Sequence, residues 1–216
     1  MESIKLSRVF AVLGLLFLLG AGFWFAHNQI LQANAGEAVK TVTEQLYQQL
    51  PTETKESVPA AELTPADLPD YLLFPDLPMP VVEIEGRMYI GFLELPTIDL
   101  TLGVCSTWDY DSLDISPCRY SGSAYQDNLV IAGHNYETHF RNISQVQPGD
   151  PVRFTDIDGN VFHYRAVMVE ILGPRDVEEM TESDFALTLF TCTIGGAQRV
   201  ALRCERVLFP TQTQQS

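Results

Sequence analysis

The chain has 216 residues, 46% of them hydrophobic, and carries 13 Lys and Arg against 28 Asp and Glu, for a net charge of −15. That length holds one good-sized domain with appendages rather than two full domains. The acid surplus argues against charge-driven binding to nucleic acid or to an anionic membrane surface, and tolerates basic or amine-bearing partners.

The first predicted element is the run VFAVLGLLFLLGAGFWFA, residues 9–26, which is uncharged and close to the roughly 20 residues that span a bilayer as a helix. Lys5 and Arg8 precede it and the first charge after it is Glu37, so the positive-inside rule puts residues 1–8 in the cytoplasm and the rest outside. The rival is a cleaved signal peptide, since Ala33-Asn34-Ala35 resembles a small-residue cleavage site; the long apolar run and the late position of that site favour an uncleaved anchor. Both readings export the bulk of the chain.

Residues 36–50 predict a short amphipathic helix, with Val39, Val42, Leu46 and Leu50 at spacings of three and four, ended by Pro51. From there to residue 80 the stretch is rich in proline and acid and reads as a stalk or linker. The folded domain is expected over residues 81–210, with a tail after it. Short alternating runs predict strands at 87–95, 100–105, 128–133, 152–155, 161–171, 187–193 and 199–207. Asp158-Gly159-Asn160 supplies a hairpin turn between two of them. Seven or eight strands in this length make an all-β barrel or sandwich. Two helical pieces are expected inside it, one around 139–143 and one over 177–184.

Four cysteines, Cys105, Cys118, Cys192 and Cys204, show no CxxC spacing and no paired histidines, which argues against zinc. No GxGxxG or Walker loop supports nucleotide chemistry. Reduced thiols are the default, although an exported protein could join Cys105 to Cys118. Cys204 alternates with Val200 and Leu202 and reads as a small buried hydrophobe. Cys192 differs: it ends the run LTLFTC beside a glycine turn, and Arg199 returns on the next strand.

A cysteine nucleophile reacts as its thiolate, only a few per cent of an ordinary thiol near neutral pH, so it needs a cation and a base beside it. Of the four histidines, His27 lies at the membrane boundary, His163 sits mid-strand and His139 lies in a turn. His134 is the best placed, because LVIAGHN is an apolar strand that ends in Gly-His and so delivers the ring to a barrel rim.

The order AGHN, then Phe140-Arg141-Asn142-Ile143, then TLFTC (residues 188–192), then Arg199 opening a last strand, resembles the sortase family. Asn135 resembles class B, whereas residues 173–186 are short for the helix that class inserts; subclass stays open between class B-like and D-like features. The resemblance implies a closed eight-stranded β-barrel behind a membrane anchor. It also implies that Cys192 attacks the carbonyl of an LPxTG-like sorting signal, that His134 is general acid and base, and that Arg199 positions substrate and stabilises the oxyanion, with Thr191 contributing to that hole. Implied partners are surface proteins with such signals and an acceptor amine, on a peptidoglycan precursor or a pilin lysine. No cofactor is required. Some members bind calcium, for which Asp109, Asp111 and Asp114 with Glu178, Glu179 and Glu182 are the available carboxylates. The alternatives are an exported cysteine hydrolase and an inert membrane-tethered binding module.

Lys55 is the last lysine, so the expected catalytic domain takes all its cations from arginine. Composition bias explains this as well; the alternative is that a thioester enzyme gains from having no amine near its own acyl group, which a lysine placed near Cys192, for example at Arg203, would test.

Overall fold

The computed structural model describes residues 2–51 and 69–207; most of the expected linker and the C-terminal tail fall outside the described residues. The chain begins with one unbroken helix, α1 (Glu2–Gln49). The two helical segments expected at 9–26 and 36–50 are thus a single element. Residues 27–35 contain neither proline nor glycine, so nothing there stops a helix. The boundary came from where hydropathy falls, not from helix chemistry. The N-terminal part of α1 is long and apolar enough to cross a membrane, and Phe10, Phe17, Leu18, Phe23 and Trp24 stand exposed on it.

A short helix, α2 (Asp70–Leu73), is followed by nine strands: β1 (Val82–Ile84), β2 (Arg87–Leu95), β3 (Leu100–Cys105), β4 (Cys118–Ser121), β5 (Leu129–Ala132), β6 (Pro151–Asp156), β7 (Val161–Leu172), β8 (Leu187–Cys192) and β9 (Arg199–Arg206). Helix α3 (Tyr110–Leu113) lies between β3 and β4, and α4 (Val177–Thr181) between β7 and β8. Strand order is β1-β2-β3-β4-β5-β8-β9-β7-β6, and β2 also pairs with β6. That second pairing closes β2 to β9 into an eight-stranded barrel of mixed sense, leaving β1 as a hairpin arm on β2. β1 and β4 were not anticipated, being three and four residues long, too short for alternation to register. The expected turn around 139–143 is realised as a 3₁₀ turn displaced to Ile143–Gln145.

Alternation along the strands fills the interior. Leu93, Leu95, Leu102, Leu129, Ile131, Phe154, Phe162, Leu187, Leu189 and Leu202 are buried in one cluster. A second cluster lies outside the barrel wall, where Val42 and Leu46 of α1 cover Ile84, Tyr89, Cys105 and Cys118. The helix comes this close because position 103 is glycine: a Cβ there would sit 2.7 Å from Leu46 Cδ1 and 3.0 Å from Val42 Cγ1. The Gly103 amide donates to Thr43 Oγ1 across 3.4 Å. Thus α1 packs on β3, which pairs along its length with β2 but shares only one registered pair, Cys105 with Cys118, with β4.

Cys105, Cys118 and Cys204 are buried free thiols. The disulfide considered between Cys105 and Cys118 is not formed, although the two face each other. Hydrogen bonding to Cys105 and burial push the Cys118 thiol up, and burial does the same for Cys204.

Candidate active site

Strands β5 and β8 are parallel neighbours in the register Leu129 with Leu187 through Ala132 with Phe190. The Gly133 amide extends the ladder by donating to the Phe190 carbonyl, 3.0 Å away. Two residues past the last registered pair, the chains carry His134 and Cys192. Neighbouring strands lie about 4.8 Å apart and equal steps along parallel strands return to the same face. The register therefore brings the imidazole and the thiol to one rim. Gly133 is needed on the way, because a Cβ there would meet the buried Phe140 ring at 2.5 Å.

On the other side of Cys192, β8 and β9 are antiparallel, and Cys192 pairs directly with Arg199. Directly opposed residues share a face with Cβ atoms about 4.5–5.5 Å apart. The seven-residue separation in sequence is therefore contact across a ladder. His134, Cys192, Arg199 and Thr191 all line one cavity of about 260 Å³. Trp108, Tyr120 and Phe190 form an aromatic wall in it, and Val177 and Met180 of α4 contribute apolar surface.

Two of the polar groups have resting partners. His134 Nε2 lies 2.9 Å from Asp114 Oδ1, and its ring stacks on Tyr136 at 4.7 Å between centroids. Arg199 Nη1 donates to the carbonyls of Gly196 and Gln198, both at 3.1 Å, so its guanidinium is folded over its own turn. Thr191 is buried, and its hydroxyl has no hydrogen-bond partner among the described residues. His163 is half-buried at mid-strand in β7, and His27 lies on α1, so neither lines the cavity.

His139 is fully buried five residues after His134, the two rings 6.5 Å apart. Burial, and then the neighbouring His134, push its pKa down to about 4 from 6.5. Between those values the unfolded chain binds the proton and the folded one does not, so stability falls as pH drops through that window. The expected loss by pH 4 is on the order of 3 kcal/mol. Urea unfolding at stepped pH measures it, and His139→Gln flattens the slope.

Sequence reasoning missed Asp114 as the partner of His134. It had been grouped with acidic residues for calcium, but its carboxylate is engaged by the imidazole, and Asp109 caps α3 by accepting from the Ser112 amide at 2.8 Å. Among the described residues no three carboxylates, histidines or cysteines gather to hold a metal ion. Arg203 was also misjudged. It is 2% exposed, pairs across the ladder with Thr188, and is pinned by Glu170 and the α4 segment. A lysine there would sit four residues along β8 from Cys192, about 13 Å, and could not reach an acyl group.

A closed barrel with cysteine, histidine and arginine on one cavity has the form of a cysteine acyl-transfer enzyme. The sortase-domain family profile matches residues 93–207, more than half of the chain, so the chain belongs to the sortase family, whose members are cysteine transpeptidases. Among solved structures, sortase C1 of Streptococcus agalactiae is similar at 20% identity over 68% of this chain and 79% of that one, with a TM-score of 0.51. Sortase A of Corynebacterium diphtheriae is similar at 21% identity over 84% and 86%, with a TM-score of 0.50. A pilus-related sortase C of Group B Streptococcus is similar at 19% identity over 60% and 71%, also at 0.50. No curated protein matches the chain.

Proposed function

We propose that this sortase is held in the cell membrane by residues 9–26, with residues 1–8 in the cytoplasm, residues 27–80 as a helical and proline-rich spacer, and residues 81–210 as an extracellular catalytic domain. Its substrate is a surface protein with an LPxTG-like sorting signal. Cys192 is the nucleophile, attacking the scissile carbonyl as its thiolate. The tetrahedral oxyanion that forms is stabilised by Arg199, which exchanges the Gly196 and Gln198 carbonyls for it, and by Thr191; one such donor contributes roughly 3–4 kcal/mol. His134 gives its proton to the leaving amine, and the carbon–nitrogen bond breaks to leave a thioester. The incoming amine of a peptidoglycan precursor or pilin loses a proton to the now neutral imidazole as it displaces the Cys192 sulfur. Asp114 holds the ring in orientation between the two steps.

The observation that supports this reading is the double register: β5 beside β8 sets His134 next to Cys192, and β9 opposite β8 sets Arg199 next to it on the other side. The expected result is that detergent-solubilised full-length protein, given a labelled LPxTG-type peptide and triglycine, yields the joined peptide, with an acyl adduct on Cys192 by intact mass when the amine is left out. Hydrolysis that added amine never diverts would instead make the protein a cysteine hydrolase. Silence toward every sorting-type peptide would leave a binding module.

A further inference from the structure

Arg119 on β4 projects beside a second cavity of about 380 Å³ that borders the first. The two share Trp108 and Tyr120. Tyr120 stands edge-on to Phe190 at 5.3 Å and to Trp108 at 5.9 Å, so one aromatic partition separates the cavities. Around Arg119 the second cavity is lined by the hydroxyl residues Ser106, Thr107 and Ser121.

Arg119 is half-buried, and burial alone draws its pKa down, which marks a cation losing water without gaining a counter-charge. Its Nε donates to the Ser106 carbonyl at 2.8 Å, which fixes the guanidinium plane. The two Nη groups have no hydrogen-bond or carboxylate partner among the described residues. In the same barrel Arg153, Arg203 and Arg206 each meet a carboxylate, Glu94, Glu170 and Asp127 respectively. In a chain with 28 acidic residues, this guanidinium meets no carboxylate among the described residues and sits in a hydroxyl-lined hollow beside the cavity that holds Cys192. Two parallel N–H groups in a fixed plane suit a carboxylate, which they bind in bidentate fashion.

We infer that Arg119, with the hydroxyls of Ser106, Thr107 and Ser121, forms a subsite for a carboxylate carried by a substrate whose reacting end lies at Cys192. That this ligand is a substrate rests on the catalytic reading above; that the site takes a carboxylate does not. The carboxylate belongs either to the acyl donor, as an acidic side chain next to the scissile bond, or to the acceptor, as an acid group on the amine-bearing peptide.

Binding separates these sources. The full-length protein in detergent is titrated with two matched pairs: LPETG-type against LPQTG-type peptide for the donor, and triglycine against triglycine amide for the acceptor. Trp108 lies in the partition, so its fluorescence reports occupancy. In the wild type, one acid probe binds at least tenfold tighter than its neutral partner. Arg119→Gln abolishes that preference, and Arg119→Lys keeps part of it, which separates charge recognition from disruption of the Ser106 contact. Equal affinity for acid and neutral forms in both pairs, or a preference that survives Arg119→Gln, overturns the subsite. Because binding is measured, the result stands whatever Cys192 does: absence of a thioester would defeat the catalytic assignment alone, and Cys192→Ala retains the acid preference while forming none.

Discussion

Replacing Cys192 by alanine abolishes the acyl adduct and lowers transfer by about 10⁴-fold or more, because no other group on the cavity can form the covalent intermediate. The measurement is intact mass after incubation with donor peptide, followed by the rate of joined product. Cys105, Cys118 and Cys204 are the internal controls. All three are buried away from the cavity, and alanine at any of them leaves the adduct on Cys192. An adduct that moves to another cysteine, or transfer that survives Cys192→Ala, refutes the assignment. His134→Ala is expected to cost about 10²–10⁴-fold and Arg199→Ala about 10²–10³-fold, each smaller because the thiol remains. The three losses will not add, since the groups act on one intermediate.

The largest effect on stability is expected at Arg203. Its Nε meets Glu170 Oε1 at 2.5 Å, Nη1 reaches the Met180 carbonyl, Ser183 Oγ and Thr188 Oγ1, and Nη2 the Glu179 carbonyl at 2.6 Å. Its guanidinium also lies 5.7 Å from the centre of the Phe185 ring. Removing one partner of a buried, fully bonded charge leaves the others desolvated and unpaired, a cost of about 3–5 kcal/mol. Arg203→Ala should therefore lower the unfolding free energy measured in urea by that amount. Arg203→Lys should rescue little of it, since an ammonium cannot span the same set of acceptors in a plane. Arg203 is also what ties α4 to the barrel, and Val177 and Met180 of α4 line the reaction cavity. The variant should accordingly lose hydrogen-exchange protection first between β7 and β8 and bind donor peptide more weakly. An unfolding free energy unchanged within about 1 kcal/mol would sink the argument.

The path from sequence to site was short wherever one strand carried the information. The alternation of Leu187, Leu189 and Thr191 against Cys192, and the Gly-His at the end of an apolar run, were local signals, and the fold keeps both residues at strand ends. Barrel closure was not local: β2 pairs with β6 across more than fifty residues, and no pattern in either strand announces the other. Asp114 was invisible as a partner for the same reason, since it meets His134 through the β3–β4 connection. Arg203 shows a different failure. Alternation correctly put it opposite Leu202 and Cys204, on the outer face, but the outer face of that strand is covered by α4, and a covered face looks the same in sequence as a wet one.

In the proposed membrane-bound form, tether and wall are the same helix. With residues 9–26 in the bilayer, Gly36 stands about 15 Å beyond Ala26 along the axis, and there it abuts Thr138, in the loop between His134 and Phe140. A flexible leash would let the barrel sample many heights; a rigid strut fixes one.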